Sequence, residues 1–167
     1  MAKKISVLFI CQHNSGRSQI AEAYLRKFYG DHFEIESAGL EPAEAVNPLV
    51  IQVMAEDGLD LSKKKPQSVF ELFKRGNLYE HVITVCHDSE SKCPIFPGIT
   101  ARWHWPFPDP AAVEGTETEK LEAVRKIRDM IKDWLLDPPK DTSNFKSIIN
   151  KYEISSRRVC IYFEDTC

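Results

Sequence analysis

Residues 5–10 read Ile-Ser-Val-Leu-Phe-Ile, and directly behind them stands the octapeptide Cys11-Gln12-His13-Asn14-Ser15-Gly16-Arg17-Ser18. An apolar run this short and this continuous reads as a strand buried on both faces, which is the environment of a parallel sheet. The stretch after the octapeptide places Ile20, Tyr24 and Phe28 on one face with Ala21 and Leu25 beside them. A helix from about residue 18 to 28 is expected there, with Gly30 to end it. Strand, polar loop and helix in immediate succession commit the chain to an α/β fold with a parallel sheet.

The rest of the sequence repeats that alternation. Residues 33–37 read as a second strand. Asn47-Pro48 has the form of a helix cap followed by proline in the first turn, and Gly58 lies beyond Val50, Val53 and Met54 as a stop. Ser68 with Glu71 predicts a capping box for a short helix through Leu72 and Phe73. Residues 81–85 form the expected third strand and residues 101–104 the fourth. A second capping box, Thr116 with Glu119, opens a long helix carrying Leu121, Val124, Ile127, Ile131, Trp134 and Leu135, which Pro138-Pro139 ends. Residues 1–140 thus read as one domain and residues 141–167 as a C-terminal extension.

Composition narrows the function classes. A net charge of -3 offers no basic footprint for nucleic acid. The run Lys63-Lys64-Lys65 reads as a solvated loop. No apolar run approaches the roughly 18 residues of a membrane span, and the few behind the N-terminus are too short for a signal peptide. A cytoplasmic monomer is expected. Five cysteines are an odd number in a chain long enough to fold without bridges, so in a reducing compartment these thiols are catalytic, redox-active or simply buried.

The octapeptide carries the chemistry. In a parallel sheet, ligands bind beyond the carboxyl ends of the strands, which is where Cys11 stands. To start the helix, residues 12–17 must curl back, turning backbone N–H groups inward toward a helix N-terminus. Gln12, His13, Asn14, Ser15, Gly16, Arg17 and Ser18 therefore form a cradle for an oxyanion. Gly16 tolerates a tight curl and Asn14 a left-handed conformation. The N–H groups and Arg17 favour a thiolate at Cys11, and the guanidinium offers a planar fork for two oxygens of a tetrahedral anion. Ser18 can donate to the sulfur or cap the helix. This loop alone does not choose between hydrolysis and reduction.

Other candidates lie downstream. Cys86 closes the third strand at the same sheet edge, and Cys93 follows it by seven residues across the polar stretch 87–92. Zinc would want closer cysteine pairs or well-spaced histidines. Asp109, in Pro106-Phe107-Pro108-Asp109-Pro110, stands on a proline-stiffened loop after the fourth strand. Cys160 and Cys167 match no pattern of this kind. Trp103, Trp105 and Phe107 read as packing around the Asp109 loop.

The stretch FICQHNSGRSQIAEAYL resembles the phosphate loop of the low-molecular-weight protein tyrosine phosphatase superfamily. It is more similar still to the thioredoxin-coupled arsenate reductase branch, where the arginine precedes Ser-Gln and an Ala-Glu helix. The resemblance spans about residues 5–136 and includes ESAGLEP, VITVCHDSESKCPIFPG and HWPFPDPA. It implies a three-layer fold, a central four-stranded parallel sheet flanked by helices. It also implies that Cys11 attacks arsenate, that Arg17 binds the oxyanion, and that Cys86 and Cys93 are the shuttle pair which passes the oxidation to thioredoxin or a similar thiol reductant. Asp109 matches the general acid. Ala111-Ala112 stand where phosphotyrosine enzymes often carry tyrosines, and a phosphatase hydrolysing phosphomonoesters is the alternative. Gln12, His13 and Gly16 replace the branch's frequent Thr, Gly and Cys. Some reductases of this branch bind potassium, and Asn14, Glu22 and Ser37 match three of its ligands. The stretch 63–68 lacks the usual aspartate, so neither a metal nor a cofactor is expected.

Overall fold

The strand order explains why one edge of this molecule can hold a reaction centre. In a computed structural model, residues 3–87, 89–98 and 101–138 are described, with residues 147, 149 and 150 beyond them. Four strands, β1 (Ile5–Cys11), β2 (Phe33–Gly39), β3 (His81–Thr84) and β4 (Ala101–His104), form one sheet in the order β2-β1-β3-β4. Every pairing is parallel, so all four carboxyl ends share an edge. The register sets Cys11 opposite Gly39, Ile10 opposite Thr84, and Thr84 opposite His104. Helices α1 (Arg17–Tyr29), α2 (Pro48–Glu56), α3 (Val69–Lys74), α4 (Ser89–Lys92) and α5 (Glu117–Leu136) make the crossovers and flanks.

Strand β1 is central, and Val7, Leu8, Phe9, Ile10 and Cys11 are all buried, as the unbroken apolar run requires. On one side Leu8, Ile10, Ala38, Val69, Leu72 and Phe96 belong to a single apolar cluster. Helix α1 lies against β1 and β2. Its Tyr24 is fully buried and satisfies its hydroxyl on Asp57 Oδ2 at 2.5 Å. Burial, with that carboxylate, pushes the phenol well above its usual range.

Two of the expected caps form as the sequence suggests. Asn47 Oδ1 accepts from Leu49 N at 2.9 Å, and Thr116 and Glu119 exchange two bonds of 2.7 and 3.2 Å. The capping box at Ser68 and Glu71 does not form. Ser68 is held in a parallel bridge with Gly39, its side chain makes no cap bond, and Glu71 pairs with Lys74 at 3.1 Å instead. The stretch 87–92, expected as loop, contains the single turn α4. Gly30 ends α1 as expected, in the right-handed region, with its N–H on Arg26 O. Two compact units, Met1–Lys132 and Asp133–Cys167, divide the chain within α5. The C-terminal extension past residue 150, with Cys160 and Cys167, lies outside the described residues.

Candidate active site: a tethered loop around Cys11

The loop between β1 and α1 is held by its carbonyls. Those of Cys11, Gln12, His13 and Ser15 accept N–H bonds from Leu40, Glu41, Ala43 and Asn47 at 2.8 to 3.1 Å, and Asn14 O accepts from Gln19 Nε2 at 3.1 Å. In a planar trans peptide the next N–H points opposite to the carbonyl. Tethering five successive carbonyls outward therefore turns the following N–H groups to the inside of the curl. The backbone tethers come from residues 40–47, after β2. Gly39 permits the close approach, because a Cβ there would meet Asn14 N and His13 C at 2.9 Å.

Cys11 sits inside this curl, almost fully buried. Its Sγ accepts from Asn14 N at 3.1 Å and lies 2.9 Å from Ser18 Oγ. Asn14 is the organiser. Its φ of 52° is left-handed, as anticipated, and its amide Nδ2 donates to both Ser18 Oγ (2.8 Å) and Ser37 Oγ (3.0 Å). With a lone pair of Ser18 occupied in this way, its hydroxyl proton is available to the sulfur. Asn14 Oδ1 accepts from Gln67 N at 3.0 Å and Gln19 Nε2 at 3.2 Å.

Arg17 and Asp109 meet at the mouth. The buried guanidinium donates to Phe107 O at 3.2 Å and lies 3.4 Å from Asp109 Oδ2. The loop carrying Asp109 is anchored to the sheet edge, since Trp105 N bonds Thr84 O and Phe107 N bonds Val85 O. Asp109 Oδ1 in turn caps the short 3₁₀ turn Pro110–Ala112 through Ala111 N at 2.9 Å. Pro110 closes over the loop so tightly that a Cβ on Gly16 would meet its ring at 3.1 Å. His13 is at the rim, exposed, with Nδ1 donating to Glu41 O at 2.9 Å.

The two downstream thiols differ. Cys86 is buried just past β3, and β3 is the neighbour of β1 in the sheet. Val85 N bonds Ile10 O at 2.8 Å, so Cys11 and Cys86 leave adjacent strands within a residue of each other in register. Adjacent strands lie about 4.8 Å apart, inside the roughly 7 Å that a disulfide's Cα atoms allow. Cys93 instead belongs to the apolar cluster of Leu8, Ile10, Leu72, Tyr79 and Phe96. Its thiol reaches Pro94 O at 3.4 Å, and burial pushes it from about 9 up to about 11. The sequence reading missed Gln19, Gly39, Gln67 and Lys64. For Gly39 the signal was the Ser-Ala-Gly at the end of a strand. For Lys64 the expectation was a solvated loop, whereas its Nζ lies 2.7 Å from the buried carboxylate of Glu22.

The residues matching the potassium ligands do not fit a further cation. Glu22 Oε1 already takes Lys64 Nζ at 2.7 Å and the Arg26 guanidinium at 2.8 Å, and Oε2 takes the Ser37 hydroxyl at 2.5 Å. Asn14 Oδ1 is likewise taken.

A parallel α/β sheet with a cysteine in an N–H-lined loop, an arginine closing that loop and an Asp-Pro segment above it defines a class of oxyanion-handling proteins with a thiol nucleophile. The chain belongs to the low molecular weight phosphotyrosine protein phosphatase family, whose model matches residues 6–160. An arsenate reductase of Halalkalibacterium halodurans is 40% identical over 132 residues, 78% of this chain and 91% of that protein. A solved arsenate reductase in its phosphate-binding state aligns over 88% of this chain and 98% of its own, at a TM-score of 0.67 and 25% identity. The thioredoxin-dependent arsenate reductase of Corynebacterium glutamicum aligns over 81% of this chain and 65% of its own, at a TM-score of 0.54 and 34% identity.

Proposed function

We propose that this chain is an arsenate reductase working through Cys11, Cys86 and Cys93, with thioredoxin or a similar dithiol as reductant. The single observation that supports it most is that Cys11 and Cys86 leave the adjacent strands β1 and β3 within a residue of each other in register, with Cys11 Sγ held by the Asn14 N–H of its loop. Arsenate enters with its oxygens on the N–H groups of residues 12–17 and on the Arg17 fork. The Cys11 thiolate attacks arsenic. One oxygen leaves as water, taking a proton from Asp109.

The sulfur–arsenic adduct is then resolved by thiols. Cys86 thiolate attacks Cys11 Sγ; the S–As bond electrons stay on arsenic, which departs as arsenite, and a Cys11–Cys86 disulfide remains. Cys93 thiolate attacks Cys86 Sγ and expels Cys11 thiolate, giving Cys86–Cys93. The external dithiol reduces that bridge. Arsenic gains two electrons and one disulfide is made per turnover. Cys93 must leave its apolar cluster and lose its proton to act, so the segment carrying α4 has to rearrange.

Residues 1–140 carry this chemistry in our reading, as a cytoplasmic monomer, where thiols stay reduced. Phosphomonoester hydrolysis uses the same loop without Cys86 and Cys93. The test is NADPH consumption with arsenate, thioredoxin and thioredoxin reductase, run beside hydrolysis of an aryl phosphate. Arsenate-dependent NADPH oxidation by the wild type, and a Cys86–Cys93 peptide bridge after arsenate exposure, are the expected results. Hydrolysis with no bridge and no NADPH oxidation would return the chain to the phosphatases.

A further inference from the structure

Behind the loop, a polar relay runs from the surface to the nucleophile. Glu22 is 3% exposed, on the buried side of α1, and receives Lys64 Nζ at 2.7 Å and the Arg26 guanidinium at 2.8 Å. The other carboxylate oxygen accepts the Ser37 hydroxyl at 2.5 Å. With its proton committed to Glu22, Ser37 can only accept from Asn14 Nδ2, 3.0 Å away. The second amide proton of Asn14 goes to Ser18 Oγ at 2.8 Å, which turns the Ser18 proton toward Cys11 Sγ at 2.9 Å. The carboxylate, by accepting the Ser37 proton, sets each donor direction in turn.

We propose that Lys64 is the built-in cation of this relay: its ammonium holds the buried Glu22 carboxylate in place as the acceptor of the Ser37 hydroxyl and thereby orients Asn14 and Ser18 on Cys11, so that the loop reacts without a monovalent metal ion. A buried carboxylate needs a compensating charge, and an ammonium within hydrogen-bond distance supplies it. Arg26 cannot do this alone to the same degree. Its side chain is half exposed and shares its donors with Ile35 O at 2.6 Å. Lys64 also belongs to the segment that supplies the Gln67 N–H to Asn14 Oδ1, so one stretch of chain charges the relay and pins its hub. The oxygens that would hold a potassium ion are already occupied by these donors, two of them cationic. A cavity of about 300 Å³ lined by Gln19, Glu22, Arg26, Leu61 and Lys64 lies alongside. Removing the ammonium would open that carboxylate to an ion from solvent.

Lys64 is thus a positioning residue in the reductase reading on which this inference rests. The test compares the full-length wild type, Lys64→Met and Lys64→Arg in potassium, sodium and choline chloride at equal ionic strength, with arsenate turnover and thermal melting both recorded. The wild type is expected to turn over and melt alike in all three salts. In choline, Lys64→Met should lose about tenfold in kcat/KM, the scale of one hydrogen bond to a charged group. In potassium it should recover much of that loss and gain melting temperature. Lys64→Arg should stay close to the wild type.

A wild type that falters without potassium, a Lys64→Met protein equal to the wild type in choline, or one equally impaired in every salt would each overturn the proposal. If Lys64→Met does not fold, the salt series on the wild type and Lys64→Arg still decides. If the wild type reduces no arsenate in any salt, the reductase reading fails, and the melting series alone judges Lys64.

Discussion

Cys11 and Cys93 are both buried cysteines, yet they are buried for opposite purposes. Around Cys11 the neighbours are polar and directional: a backbone N–H at 3.1 Å, a hydroxyl at 2.9 Å, and a guanidinium closing the same loop. Around Cys93 they are aliphatic and aromatic, and its thiol donates to the Pro94 carbonyl at 3.4 Å. One sulfur stands among hydrogen-bonding groups in its loop; the other is stored as a neutral thiol and must be moved before it reacts. Burial by itself therefore says little about a cysteine. The polarity of what buries it decides whether it is a nucleophile or part of a core.

The largest effects should come from breaking the difference outright. Cys11→Ser is expected to abolish both arsenate reduction and aryl phosphate hydrolysis, because both need this sulfur. Cys86→Ser and Cys93→Ser should stop multiple-turnover reduction while hydrolysis continues, as coupled NADPH oxidation and aryl phosphate assays will read side by side. Sustained arsenate turnover by Cys93→Ser would mean that the stored thiol is only core. Next in size is Arg17→Lys, which keeps a charge but loses the fork. A loss of about 10²–10³-fold in kcat/KM is expected, the range for removing a preorganised donor to a developing oxyanion. A change below tenfold would place the oxyanion elsewhere.

Gly39→Ala sharpens the comparison from the Cys11 side. Its Cβ would press on backbone atoms of Asn14 and His13 at 2.9 Å, and backbone cannot swing aside as a side-chain tip can. The loop must shift, so kcat/KM should fall in both assays, with destabilisation of about 1–3 kcal/mol from overpacking in a denaturant melt. An unchanged kcat/KM would show that residues 12–14 need not be held this tightly.

How much of this could be read beforehand follows the same division. The strand, loop and helix of residues 5–29 were legible because their chemistry is local: an apolar run, a polar curl with Gly16, an amphipathic repeat. Ser18 was legible there as a neighbour of the sulfur, and Asn14 as a residue that tolerates the left-handed conformation it adopts. The role of Lys64 could not. Three consecutive lysines are solvated in most settings, and nothing nearby in sequence announces the carboxylate of Glu22, 42 residues away. Ser68 and Glu71 misled for a related reason: the capping spacing is present, but the bridge to Gly39 holds Ser68 in an extended conformation. The core placement of Cys93 was likewise hidden, since most of its apolar neighbours, such as Leu8, Ile10, Leu72 and Val82, are distant in sequence and a polar stretch precedes it.

The smallest predicted effect concerns that stored thiol and pH. In the folded chain burial holds the Cys93 proton until about pH 11, against about 9 for an unhindered thiol. Between those values the unfolded chain has released a proton that the native chain retains. Stability must therefore fall as pH rises from about 9 toward 11, because alkali favours the state that binds fewer protons. Tyrosines and lysines titrate in the same window, so the contribution is read as a difference. The stability of wild type and Cys93→Ala, measured by urea denaturation at pH 8, 9, 10 and 11, should converge as pH rises, with the wild type losing more. Iodoacetamide labelling of the resting protein at pH 8 should accordingly modify Cys11 well before Cys93. Equal labelling rates, or parallel stability curves, would show that the segment after α4 already leaves the apolar cluster without arsenate, and the contrast between the two sulfurs would shrink to one of reactivity alone.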